Sequence, residues 1–102
     1  MPAIAVYITC KNNAEAKRIS TALLKARLAV CTNTFPTKSA YWWNGKIATN
    51  REVTLLAKTQ AKHYGKIVKL VSKLHSYTVP CIGKFNIAYN TPYAKWLMGE
   101  TR

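Results

Sequence analysis

A thiol, an imidazole and a phenol crowd into one short segment, LHSYTVPC at residues 74–81. His75, Tyr77 and Cys81 fall within seven residues, while Cys10 and Cys31 stand far upstream. Thiolate and imidazole suit copper(I) or zinc, so Cys31, His75 and Cys81 form a candidate metal set. Their spacing is wide and diagnostic of no metal motif. The same segment reads as a structural seam, where a helical pattern ends and a proline-gated strand begins. At a helix C-terminus, His75 has a structural role open to it, because a cationic ring complements the dipole. Cys10 lies inside the apolar run AIAVYITC and reads as core, as buried cysteine commonly does.

The charge balance sets the surroundings of any such site. Sixteen Lys and Arg face three acids, Glu15, Glu52 and Glu100, giving a net charge of +13. A field of that sign attracts nucleic acid, anionic lipid or phosphate metabolites and repels free divalent cations. No Ser-His-Asp set or carboxylate pair is evident, and the loop CKNNAE lacks the glycines of an acylphosphatase phosphate loop. The chain therefore reads as a non-enzyme that requires no cofactor. Three cysteines without a C-x-x-C do not look like a secreted disulfide framework. No apolar run approaches the roughly 18 residues of a membrane span, and MPAIAVYITC has no leader character. These features predict a cytoplasmic protein with reduced thiols. Its 102 residues predict one domain over 1–102.

The elements that must position these groups follow from periodicity. Ala3 to Cys10 predicts a buried strand. Asn12 and Glu15 have capping-box spacing, and Ala16, Ile19, Leu23 and Ala26 predict the buried face of a first helix. Leu28 to Trp43 reads as a long strand with Pro36 at an edge or bulge. Asn44-Gly45 predicts a type I′ hairpin turn into Ile47 to Lys58. Tyr64, Ile67, Val68, Val71 and Leu74 mark the apolar face of a second helix, and Lys62, Lys66, Lys69 and Lys73 a basic stripe opposite. Thr78 to Ala88 reads as a fourth strand and Thr91 to Glu100 as a terminal helix, with Pro92 in its first turn. The order predicts an α+β, ferredoxin-like βαββαβ sandwich with a long central hairpin and a C-terminal helix. By alignment of the two halves, Cys31 and Cys81 enter the sheet at equivalent points.

The pieces VYITC, EAKRISTALLKARLAVCTN, YWWNGKI, EVTLLAKT, LHSYTVPCI and YAKWL cover nearly the whole chain. In that order they resemble the CutA family of divalent-cation-tolerance proteins. The resemblance implies a ferredoxin-like homotrimer packed through sheet edges, without catalytic activity, acting in tolerance to copper and other divalent ions. It places residues 31, 75 and 81 near a pocket between subunits, where a trimer collects copper or another soft metal. It also makes Tyr41, Trp42 and Trp43 interface anchors at the hairpin tip.

Asn44, Ala48, Thr49, Asn50, Ser76, Thr78 and Cys81 stand where the family commonly carries other residues, many of them acids. Loss of carboxylates disfavours hard ions such as magnesium and calcium, which need oxygen ligands. The alternative function is a PII-like trimer sensing an anion or nucleotide, with Arg51, Lys58 and Lys84 lining the clefts. Nucleic acid is the disfavoured partner: GKFNIAY resembles an RNA-binding aromatic strand, but on the last strand, where that motif does not belong.

Overall fold

The structure, a computed structural model, describes residues 2–101. Strand β1 (Ala3–Cys10) leads to helix α1 (Asn13–Lys25), then to β2 (Cys31–Trp43) and β3 (Lys46–Gln60). A 3-10 turn (Ala61–His63) opens helix α2 (Tyr64–Leu74), followed by β4 (Ile82–Asn86) and α3 (Thr91–Glu100). The four strands form one antiparallel sheet in the order β2-β3-β1-β4. This is the order that two split βαβ units produce.

Alternation along the strands decides what each face covers. Ile4, Val6, Ile8 and Cys10 of β1 sit opposite Thr59, Ala57, Leu55 and Val53 of β3. All but Thr59 join Ala16, Ile19, Leu23, Ile67 and Val71 in the main apolar core under α1 and α2. The other face carries Ala5, Tyr7 and Thr9 opposite Lys58, Leu56 and Thr54. Helix α3 turns onto that face: Lys58 Nζ lies 5.5 Å from the Tyr93 ring centre, and Gln60 donates to the Thr101 hydroxyl at 2.8 Å.

Three local signals hold, although in the capping box Glu15 accepts from the Lys11 N–H rather than from that of Asn12. Asn12 caps α1, its side chain accepting from the Glu15 N–H at 2.9 Å. Asn44 and Gly45 have φ of 51° and 75°, the two positive values a type I′ turn requires. Pro36 falls on edge strand β2, where its missing N–H is tolerated.

Several boundaries move. Ala26 is exposed rather than on the buried face, because α1 ends there and Arg27 turns into the left-handed region at φ 58°. That reversal delays β2 to Cys31, so Leu28 and Ala29 enter the core as loop residues. Strand β3 runs to Gln60, beyond the expected Lys58, and β4 is only five residues rather than eleven. Cys31 opens β2, while Cys81 lies one residue before β4, and these strands are opposite edges of the sheet.

The β2–β3 ladder outruns its neighbour. Strand β1 pairs with β3 only from Val53 onward, so Thr37–Glu52 through Trp43–Lys46 form a two-stranded arm. The chain is 45 Å long against 23 and 21 Å across. The arm exposes Trp42, Trp43 and Ile47 at 72%, 51% and 66%. A two-stranded ribbon is marginally stable in water unless its apolar side chains find cover.

Candidate metal centre

Cys10, Glu15 and His75 offer ligand atoms that all lie within 4.8 Å of one another. All three residues are buried. Each arrives from a different element. Cys10 ends β1, Glu15 occupies the first turn of α1, and His75 follows the last residue of α2. The βαβ crossover carries α1 back over β1, and α2 then ends against both.

Hydrogen bonds fix the imidazole. Nδ1 accepts the Tyr77 N–H at 3.1 Å, so the ring proton sits on Nε2 and is donated to the Thr9 carbonyl at 2.7 Å. Nε2 is also 3.8 Å from Glu15 Oε1. The carboxylate accepts from the Lys11 N–H at 2.8 Å and from the Ser76 N–H at 2.9 Å. Arg18 adds a cation at 3.6 Å. Burial alone would push the Glu15 carboxyl up. The bonds from Ser76 and Lys11, with His75 nearby, win and hold it below its ordinary value. Cys10 has no such help: burial, then the charges of Glu15 and Glu52, push its thiol up to about 12.

The trio thus joins strand, helix and loop, and it also suits a soft or borderline cation. Metal–ligand bonds of about 2.0–2.3 Å put tetrahedral ligand atoms roughly 3.5 Å apart. Nε2 and Glu15 Oε1, 3.8 Å apart, are already near that spacing, while separations approaching 4.8 Å would have to close by about an ångström and Nε2 would have to leave the Thr9 carbonyl. A bound cation would also deprotonate the thiol that burial keeps protonated.

The expected set Cys31, His75 and Cys81 is not gathered by one chain. His75 is the C-cap of α2, as its helix-end reading expected, and is buried beside Cys10. Cys31 is half-buried on the far edge strand against Tyr89 and Tyr93. Burial, reinforced by Cys31, pushes Tyr93 up to about 12. Cys81 is exposed and lines a separate open cleft of about 780 Å³. The arm residues Tyr41, Trp42 and Trp43 line that cleft too, with Tyr7, Glu52 and Tyr77. Tyr77 donates its hydroxyl to the buried Glu52 carboxylate at 2.5 Å, tying the 75–81 segment to β3. The expected anion residues are dispersed. Lys58 faces α3, Lys84 lies 4.8 Å from the Tyr64 ring on the α2 side, and Arg51 is exposed on the arm.

Sequence reasoning read Cys10 as core and Glu15 as a helix-start acid, and both readings hold. It missed that they meet His75. The available signal was the βαβ order itself, which returns a helix start to the end of its preceding strand.

The sequence profile described as "CutA1 divalent ion tolerance protein" matches residues 4–100. A divalent-cation tolerance protein CutA of Archaeoglobus fulgidus is 43% identical over 77 residues, 76% of each chain. The CutA protein of Pyrococcus horikoshii is 35% identical over 100 residues, 97% of this chain and 98% of its own. The solved periplasmic divalent cation tolerance protein CutA from Archaeoglobus fulgidus superposes with a TM-score of 0.95, covering 98% of this chain and 99% of its own at 35% identity. The CutA1 structure from Oryza sativa gives 0.96 at 34% identity, covering 100% and 95%.

Proposed function

Because the chain belongs to the CutA1 divalent ion tolerance family, we propose that it acts in ion tolerance as a non-catalytic homotrimer that takes copper or another soft ion as cargo. The observation that carries the metal reading is the convergence of Cys10, Glu15 and His75 within 4.8 Å. Thiol, carboxylate and imidazole together favour copper or zinc over magnesium or calcium. The set of Cys31, His75 and Cys81 would need contributions from more than one protomer, and within one chain Cys81 lines a separate cleft.

The trimer reading rests on the arm. Its two strands lack a third, and its exposed Trp42, Trp43 and Ile47 need cover that one chain does not supply. Three free cysteines suit a reducing compartment such as the cytoplasm. The alternative of an anion-sensing cleft has weaker support, because Arg51, Lys58 and Lys84 lie apart in one chain.

Growth of a copper-sensitive host under copper stress tests the role. The chain should protect, and Cys10→Ser and His75→Ala should protect less at matched soluble protein levels. Equal protection by all three, or none by the parent chain, contradicts the proposal.

A further inference from the structure

Helices α1 and α2 lie side by side on one face of the sheet, sharing Ile19, Leu23, Ile67 and Val71 in the core. Their outward surface is basic. Lys62, Lys66, Lys69 and Lys73 are all exposed, at intervals of four, three and four residues. At 100° per residue and 1.5 Å rise, Lys66, Lys69 and Lys73 form a narrow stripe about 10 Å long on α2, and Lys62 stands in the 3-10 turn just before it. Exposed Lys17 and Lys25 on α1 extend the positive surface.

Among the described residues nothing acidic balances it. Glu15 is buried, its oxygens taken by Lys11 and Ser76. Glu52 is buried with Tyr77. Glu100 pairs with Arg27 at 3.4 Å. The start of α2 has no acid in its first turn and no side-chain cap, so the positive end of its dipole adds to the field. The field is felt underneath. His63, 3% exposed, is held below its ordinary value first by burial and then by Lys62 and Lys66.

We infer that the helical layer, with the Lys62–Lys66–Lys69–Lys73 stripe at its centre, binds the phosphate backbone of nucleic acid without reading sequence. This places nucleic acid on the face opposite the one an RNA-binding sheet would use. Like charges four apart repel within the free helix, and a line of phosphates relieves that. A rigid linear polyanion fits a straight stripe. A lipid surface fits less well, because the apolar face of α2 is turned into the core. Leu24 is the one large hydrophobic among the exposed residues of α1 and α2.

The test is fluorescence polarisation of a labelled DNA duplex of arbitrary sequence against the full chain, across a salt series. Two variants matched in charge are compared. One carries Lys62→Gln, Lys66→Gln, Lys69→Gln and Lys73→Gln. The other carries Lys38→Gln, Lys46→Gln, Arg51→Gln and Lys95→Gln, all outside the helical layer, and is checked by sedimentation velocity to keep the parent's oligomeric state. The parent should lose affinity steeply with salt. The stripe variant should lower the slope of log K against log salt by about three to four, with roughly a hundredfold less salt loss between about 50 and 200 mM. The second variant should keep most of the parent slope. Equal losses in both would reduce the effect to net charge and overturn the surface assignment. So would an absence of duplex binding, or phosphatidylserine vesicles that compete the duplex off at equal charge.

Discussion

His75 Nε2 lies 2.7 Å from the carbonyl oxygen of Thr9, 66 residues earlier in the chain. Nε2 thereby holds the end of α2 against the end of β1, while Nδ1, receiving the Tyr77 N–H, fixes the turn that follows the helix. His75→Ala would leave the Thr9 carbonyl and the Tyr77 N–H without these partners. The expected loss is about 1–3 kcal/mol in denaturant unfolding. An unchanged midpoint would mean that water replaces the ring freely.

Stability should fall at both ends of the pH scale. Glu15 and His63 titrate below their ordinary values of 4.5 and 6.5, so the folded chain holds fewer protons than the unfolded chain. Their stabilisation is complete above those values and is lost as pH falls through the lower folded ones. Cys10 and Tyr77 are raised from 9.0 and 10.0, so the folded chain keeps protons the unfolded chain releases. That contribution is complete below 9.0 and declines as pH rises past it. Glu15→Gln should flatten the acid limb and Cys10→Ala the alkaline limb, measured by thermal unfolding across pH.

Tyr77 and Glu52 form the second clasp on the 75–81 segment. Tyr77→Phe strands a buried carboxylate and should cost about 1.5–3 kcal/mol. Glu52→Gln keeps an acceptor and removes the buried charge, so it should cost less. Equal effects in chemical denaturation would assign the clasp to packing rather than to the hydrogen bond.

Replacing Trp42 and Trp43 together by Ser removes the most exposed aromatics of the arm. Sedimentation velocity should show the parent as a trimer and the double variant shifted to smaller species. Because each protomer carries +13, the trimer should also melt at a higher temperature as salt rises. A flat or falling salt curve would mean that the charges are far apart in the assembly.

What was legible in the sequence had a local cause. The Asn12 cap, the Asn44-Gly45 turn and the bounds of α3 follow from residues within a few positions of each other. The start of β2 was not legible, because the left-handed reversal at its approach is made by Arg27 and not by a glycine. The length of β4 was not legible either. Residues 78–81 read as strand, but the clasps at His75 and Tyr77 hold the 75–81 segment off the sheet edge. The metal-capable trio was hidden for a non-local reason, since Glu15 and His75 are sixty residues apart and meet only through the βαβ crossover. Alignment of the two halves and the family resemblance favoured Cys31 and Cys81, which the fold puts at opposite edges.

Copper(I) titration of the reduced protein against a competing chelator separates the two ligand sets directly. The parent is compared with Cys10→Ser, His75→Ala, Cys31→Ser and Cys81→Ser, each checked for folding by circular dichroism. Tight binding of one ion per chain, weakened by Cys10→Ser and His75→Ala and little changed by the other two, is the expected result. Weakening by Cys31→Ser and Cys81→Ser instead would move the site to the contact between subunits. Binding no tighter than the chelator's, or indifferent to all four changes, would contradict metal capture and leave the trio as a structural joint.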